Sequence, residues 1–157
     1  MVSRTYGKLL SEPGEAVCRA RDREATVPGV NPGAEGTRYP DVPFLVDPSR
    51  VAAFRDVFGQ DAGVPPTFLT AAEFTVLPVV IGDPALDLDF SRVLHGGQEY
   101  ELVRPLREGE TLTVRARIDS IRLRAGTGFL VIAMDLFDDA GEPVARTRST
   151  MIERSAP

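Results

Sequence analysis

Apolar side chains crowd one short stretch of this chain and alternate with polar ones through most of the residues after it. Over 65–81 the residues read Pro-Pro-Thr-Phe-Leu-Thr-Ala-Ala-Glu-Phe-Thr-Val-Leu-Pro-Val-Val-Ile. Phe68, Leu69, Ala71, Ala72, Phe74, Val76 and Leu77 go nearly all the way round a helical turn, and Glu73 alone is clearly polar. A helix that is apolar on every side is expected to be wrapped by the rest of the protein. Pro65 and Pro66 suit its entrance, where a missing N–H costs nothing, and Pro78 suits a kink or the last turn.

Downstream the pattern is that of strands. Tyr100 and Leu102 alternate with Glu99 and Glu101 in a strand that begins near Val93. Leu112, Val114, Ala116 and Ile118 then oppose Thr111, Thr113, Arg115, Arg117 and Asp119, the clearest two-residue period in the chain. After Asp119 the phase slips, so that Ile121 and Leu123 become the apolar members, and a β-bulge is expected there. Residues 129–137 are apolar on both faces, which predicts a strand covered on both sides. Asp138-Asp139-Ala140-Gly141 is a hairpin turn. The strand over 144–152 sets Arg146 and Arg148 against Ala145, Thr147, Ser149 and Met151.

Upstream of the apolar helix, Val42-Pro43-Phe44-Leu45-Val46 suits an edge strand, because Pro43 cannot donate to a sheet centre. Asp47 as N-cap and Pro48 at the first position open a second helix. It carries a stripe of Val51, Phe54, Val57 and Phe58 and ends at Gly59. The fold class this predicts is α+β: an antiparallel sheet curled round one long buried central helix.

Composition narrows the setting. At 157 residues the chain has the size of one domain. Pro-Gly pairs and the charge run after Arg19 mark 1–36 as an N-terminal extension or arm, with a short strand over 16–20. Residues 37–157 form the domain proper. A net charge of −5 argues against nucleic acid as a partner, since phosphate binding wants a basic face. Cys18 stands alone, so an internal disulfide is excluded and a reducing, cytoplasmic setting is expected. No apolar run approaches the roughly 18 residues of a membrane helix. No loop has the ordered oxygen spacing of a calcium site, and no metal or cofactor is expected.

Three motifs carry a resemblance. Val64-Pro65-Pro66-Thr67-Phe68, then Leu88-Asp89-Phe90-Ser91-Arg92-Val93-Leu94-His95-Gly96-Gly97-Gln98, then Arg104-Pro105-Leu106-Arg107-Glu108-Gly109-Glu110-Thr111-Leu112 look like the MaoC-like dehydratases of the hot-dog fold. Among them the chain resembles the FAS1-type N-terminal dehydratase domain and the (3R)-hydroxyacyl-ACP dehydratase subunits, over about 37–154. The resemblance implies binding of a (3R)-hydroxyacyl thioester, on coenzyme A or an acyl carrier protein. The acyl chain would lie beside the central helix in a tunnel between two protomers of a homodimer or heterodimer. By position it implies that backbone N–H groups at Thr67 and Phe68 hold the thioester carbonyl. Pro66, Phe74, Gln98 and Tyr100 complete the expected substrate-binding set.

The chain departs from that family at the point where its chemistry is done. The family's Gly-Asp-x-Asn-Pro-x-His, whose Asp and His act as acid and base, is replaced here by Gly59-Gln60-Asp61-Ala62-Gly63 running straight into Val64-Pro65-Pro66. The expectation is a chain-holding subunit without its own Asp/His pair, partnered by a catalytic MaoC-like subunit. The rival is an active dehydratase, cyclase or thioesterase with a rearranged site using Asp61, Glu73 or His95. A stabilising subunit with a closed tunnel is a third reading. Ser91, Asp89 and His95 supply the ingredients of a nucleophilic triad but no elbow geometry, and are read as coincidence. Arg104, Arg107, Arg122 and Arg124 are read as a basic rim at one end of the sheet, for docking an acidic carrier or phosphates, against the alternative of a solvated face.

Overall fold

The computed structural model of the protein describes residues 29–59 and 61–154. The strand expected over 16–20, Cys18 and most of the expected arm therefore lie outside the described residues. Those of 29–36 that are described join the body, because Val30 and Ala34 are buried in its core.

Five strands form one antiparallel sheet: β1 (Val42–Leu45), β2 (Val93–Leu102), β3 (Thr111–Arg124), β4 (Thr127–Phe137) and β5 (Pro143–Glu153). Their order is β1-β3-β4-β5-β2, so the proline-bearing β1 is an edge strand, and β2 is the other edge. Among the described residues two α-helices accompany the sheet, α1 (Pro48–Phe58) and α2 (Leu69–Ile81). Asp47 caps α1 by accepting from the Ser49 and Arg50 N–H groups, and with the Ser49 hydroxyl these bonds hold its carboxyl below the usual aspartate range. Gly59 closes α1 in the left-handed region, at φ 63°.

Alternation decides which face is greasy. Leu112, Val114, Ala116 and Ile118 of β3 lie against Leu136, Met134 and Ile132 of β4, and all are buried. The pairing shifts between Ile118 and Ser120, leaving Asp119 as the extra residue of the expected bulge. That slip returns Ile121 to the inner face, but Leu123 is 56% exposed, so the apolar pattern outruns the core. On the outer face charges interlock instead. Arg117 and Arg146 both bond Asp135, and the Arg115 guanidinium lies 4.4 Å from the Phe137 ring centroid. Burial works against the Asp135 charge, yet the two arginines outweigh it and hold that carboxyl below its usual range.

A 3-10 turn, Pro66–Phe68, leads into α2. Phe68 is 2% exposed, with its ring centroid 5.5 Å from Phe54 and 6.1 Å from Phe44, and it anchors the helix start in the core. Burying a ring of this size stabilises by about 1.5–3 kcal/mol. Leu69, Ala72, Val76 and Val80 continue the contact with the sheet. Here the expectation of a fully wrapped helix fails. On the opposite side of α2, Phe74 is 64% and Val79 53% exposed. One sheet can cover only one side of a rod. The α1 stripe is likewise half covered, with Val51 buried and Val57 and Phe58 open.

Candidate functional site

A kink in the edge strand β2 creates the site. His95 pairs with Met151 and Gln98 with Ser149, but between them the register shifts at Gly96. Residues three apart on a regular strand point to opposite faces; the extra residue turns His95 and Gln98 to the same face. Glycine leaves room at the bulge for Ile152, since a Cβ on Gly96 would stand 2.5 Å from Ile152 Cδ1 and that side chain would have to shift.

From the other side α2 delivers Glu73, which is 4% exposed. Gln98 Nε2 donates to Glu73 Oε1 at 2.7 Å. Gln98 Oε1 accepts from Ser149 Oγ at 2.6 Å and lies 3.3 Å from His95 Nε2. Ser149 Oγ is also 3.4 Å from Glu73 Oε1, but its single proton serves one acceptor at a time. A histidine and a buried carboxylate are thus joined through one amide. One turn away, Thr70 Oγ1 and the Tyr100 hydroxyl bond each other and tie α2 to β2 a second time.

Burial pushes the Glu73 carboxyl above the usual glutamate range, since an apolar surrounding disfavours its charged form. Thr147, Gln98 and Ser149 oppose the shift, as does the charge of a protonated His95. Burial also raises the Tyr100 hydroxyl, with the Glu73 charge adding to the effect and the Thr70 bond opposing it.

Thr70, Glu73, His95, Gln98 and Ser149 line a cavity of about 300 Å³ together with Phe74, Leu77, Phe90, Val93 and Met151. Its wall is mostly apolar with a few convergent polar groups, the usual make-up of a small-molecule site. Two larger hollows lack that make-up. One of about 630 Å³ on the outer sheet face carries neither histidine nor carboxylate. The other, of about 440 Å³ beside Val30, is built on Glu153, whose oxygens are already engaged by the Val30 and Asp89 N–H groups and by Arg92.

Of the residues expected from the sequence, Glu73, Phe74, His95 and Gln98 meet in this cavity. Pro66, Thr67 and Phe68 do not line it. The Phe68 side chain is core and its N–H is taken by the Pro65 carbonyl, leaving the Thr67 N–H as the open donor of that pair. Tyr100 stands behind Thr70. Asp61 is exposed, and none of the described residues of 59–64 reaches the cavity. Ser91 and Asp89 bond each other at the cap of a short turn, away from His95, so no triad forms. The four arginines do not make one rim. Arg104 and Arg107 precede the first residue of β3 while Arg122 and Arg124 end it, roughly 40 Å of strand apart. Arg104 is moreover bonded to Glu110 and Asp138. Ser149 and Thr147, which sequence reading placed on the small-residue face of the last strand, complete the polar cluster. The signal that marks them is a pair of hydroxyls at core positions of a strand.

A curled antiparallel sheet with a helix on its inner face, and a cavity between that helix and an edge strand, defines a hot-dog protein. The chain belongs to the family described as the FAS1-like dehydratase domain region, whose model matches residues 32–147. UPF0336 proteins are similar to it: that of Streptomyces coelicolor is 33% identical over 139 residues, covering 77% of this chain and 93% of its own. That of Streptomyces griseus is 38% identical over the same length, with the same coverage. Among solved structures, the truncated HadBC (3R-hydroxyacyl-ACP dehydratase) complex of Mycobacterium tuberculosis superposes with a TM-score of 0.66 at 21% identity, over 76% of this chain and 96% of that one. The R-hydratase PhaJ1 of Pseudomonas aeruginosa shares the fold at 0.56 and 16% identity, over 78% and 83%.

Proposed function

We propose that this protein is the acyl-chain-holding subunit of a cytoplasmic (3R)-hydroxyacyl thioester dehydratase, and that a second hot-dog subunit supplies the acid–base pair. One observation carries the reading. A largely apolar cavity opens beside α2, while the described residues of the 59–64 linker, where the family keeps its Asp and His, contribute nothing to it. The open side of α2, with Phe74 and Val79, and the outer edge of β2, which no strand among the described residues pairs, give a partner a helix face and a sheet edge to complete. The acyl chain would then run along α2 from the Thr67 N–H, and the carrier would dock at the exposed Arg107 or at Arg122 and Arg124.

The test is turnover of a (3R)-hydroxyacyl pantetheine thioester. The pure chain should bind the thioester without dehydrating it, and activity should appear on adding a hot-dog partner that bears the complete Asp…His motif. A second reading rests on the Glu73–Gln98–His95 chain, which could serve as a rearranged acid–base relay for dehydration or thioester hydrolysis. Turnover by the pure chain, lost in both Glu73→Gln and His95→Ala, would decide for that reading and against the first.

A further inference from the structure

Matched charges finish only one end of the outer sheet face. There Arg115 pairs with Asp41, Arg117 with Asp119 and Asp135, and Arg146 with Asp135, while Arg148 lies 3.7 Å from Asp119. Towards the β3–β4 hairpin the same face changes character. Arg122 and Arg124 are exposed there and make no ion pair among the described residues. Beside them lies the hollow of about 630 Å³, floored by Phe129 and Val131, walled by Thr150 and rimmed by Leu123, which is 56% exposed. An apolar floor flanked by two unmatched cations suits an extended segment that carries acids.

The chain supplies such a segment at the right place. Gly29 and Val30 line the neighbouring hollow at the end of the sheet, and Leu123 is common to both hollows. The residues just before Gly29 read Cys18-Arg19-Ala20-Arg21-Asp22-Arg23-Glu24-Ala25-Thr26-Val27-Pro28. Asp22 and Glu24 are two apart, the spacing of Arg122 and Arg124. We infer that residues 18–28 of this chain lie extended across the groove, with Asp22 and Glu24 against Arg122 and Arg124 and with Cys18 at Thr150. An extended run puts Arg21 and Arg23 on the side away from those acids, towards water. The lengths agree. The five residues from Gly29 to Glu24 span up to about 17 Å, and the four from Asp22 to Cys18 up to about 13 Å. Two strand spacings, from β3 to β5, amount to about 10 Å. The inference does not depend on the proposed function, and it leaves Arg107 as the docking point of the carrier.

The experiment uses the full chain, in which Cys18 is the sole cysteine, so that one substitution creates a reporter pair. Under mild oxidation, a disulfide from Cys18 within one chain should form about tenfold faster in Thr150→Cys than in Arg146→Cys, because docking raises the local concentration at the first position alone. Arg146 lies four residues from Thr150 on β5, about 13 Å, and within reach of an undirected tether. Adding Arg122→Glu with Arg124→Glu should abolish the difference, and adding Arg122→Lys with Arg124→Lys, which keeps both charges, should retain most of it. Equal rates at the two positions would overturn the inference, as would a preference indifferent to the glutamate substitutions. A disulfide formed only between two chains would overturn it as well and assign the groove to a second copy.

Discussion

Glu73 shows how far one side chain sits from what its neighbours would dictate. It is the single acid on an otherwise apolar helix, and burial disfavours its charge more than the surrounding donors favour it. The sign of the consequence is definite. A carboxyl whose folded pKa is raised binds more protons folded than unfolded, so it lowers stability as pH climbs from the usual glutamate pKa through the raised one. Glu73→Gln keeps the shape and removes the titration. Its melting temperature should match that of the natural protein at acid pH and exceed it increasingly above the glutamate range. A constant difference at every pH would show that Glu73 does not titrate abnormally. The residue is legible as an oddity in the sequence, being polar at a position the helix pattern reserves for the core. Its partners are not, because Gln98 and Ser149 lie 25 and 76 residues away and only the sheet brings them close.

At the scale of elements, local signals serve well and longer-range ones less so. Asp47, Pro48 and Gly59 bound a helix because caps act within a turn of themselves, and the phase slip after Asp119 marks a bulge because side chains alternate strictly on a strand. The second bulge leaves no such mark. Gly96 and Gly97 interrupt the alternation with no side chains, so the phase change from His95 to Gln98 is silent in the sequence, although it assembles the cavity. Coverage is hidden for a different reason. Periodicity reports that α2 is apolar on all sides, but not whether the covering atoms belong to the same chain. The bulge is open to test. Gly96→Ala should displace Ile152, whose Cδ1 and Cγ1 would stand 2.5 and 2.8 Å from the new Cβ, and should cost about 1–3 kcal/mol in chemical denaturation. Adding Ile152→Ala should recover part of that loss. A double variant no better than the sum of the singles would place the strain elsewhere.

For the whole molecule the decisive feature is asymmetry of finish. The outer sheet face is closed by its own charges, Asp135 between Arg117 and Arg146, whereas α2 is left greasy on the side away from the sheet. Val79 is 53% exposed in the single chain. Val79→Asp should therefore leave the folding of the isolated chain within about 0.5 kcal/mol while weakening its association with a second subunit, as read by sedimentation. Unchanged association would move the partner to another face.

The ten-residue edge β2 carries one more implication, for how the protein must be made. A long strand with unsatisfied amides on its free side is a template for any extended chain nearby, and it invites aggregation when left bare. Glu99 and Glu101 are on that strand and the Gly96 bulge bends it, two devices that discourage indiscriminate pairing. A cell that synthesises this polypeptide in excess of whatever caps that edge should find the surplus in inclusion bodies, and matched synthesis of the capping chain should return it to solution.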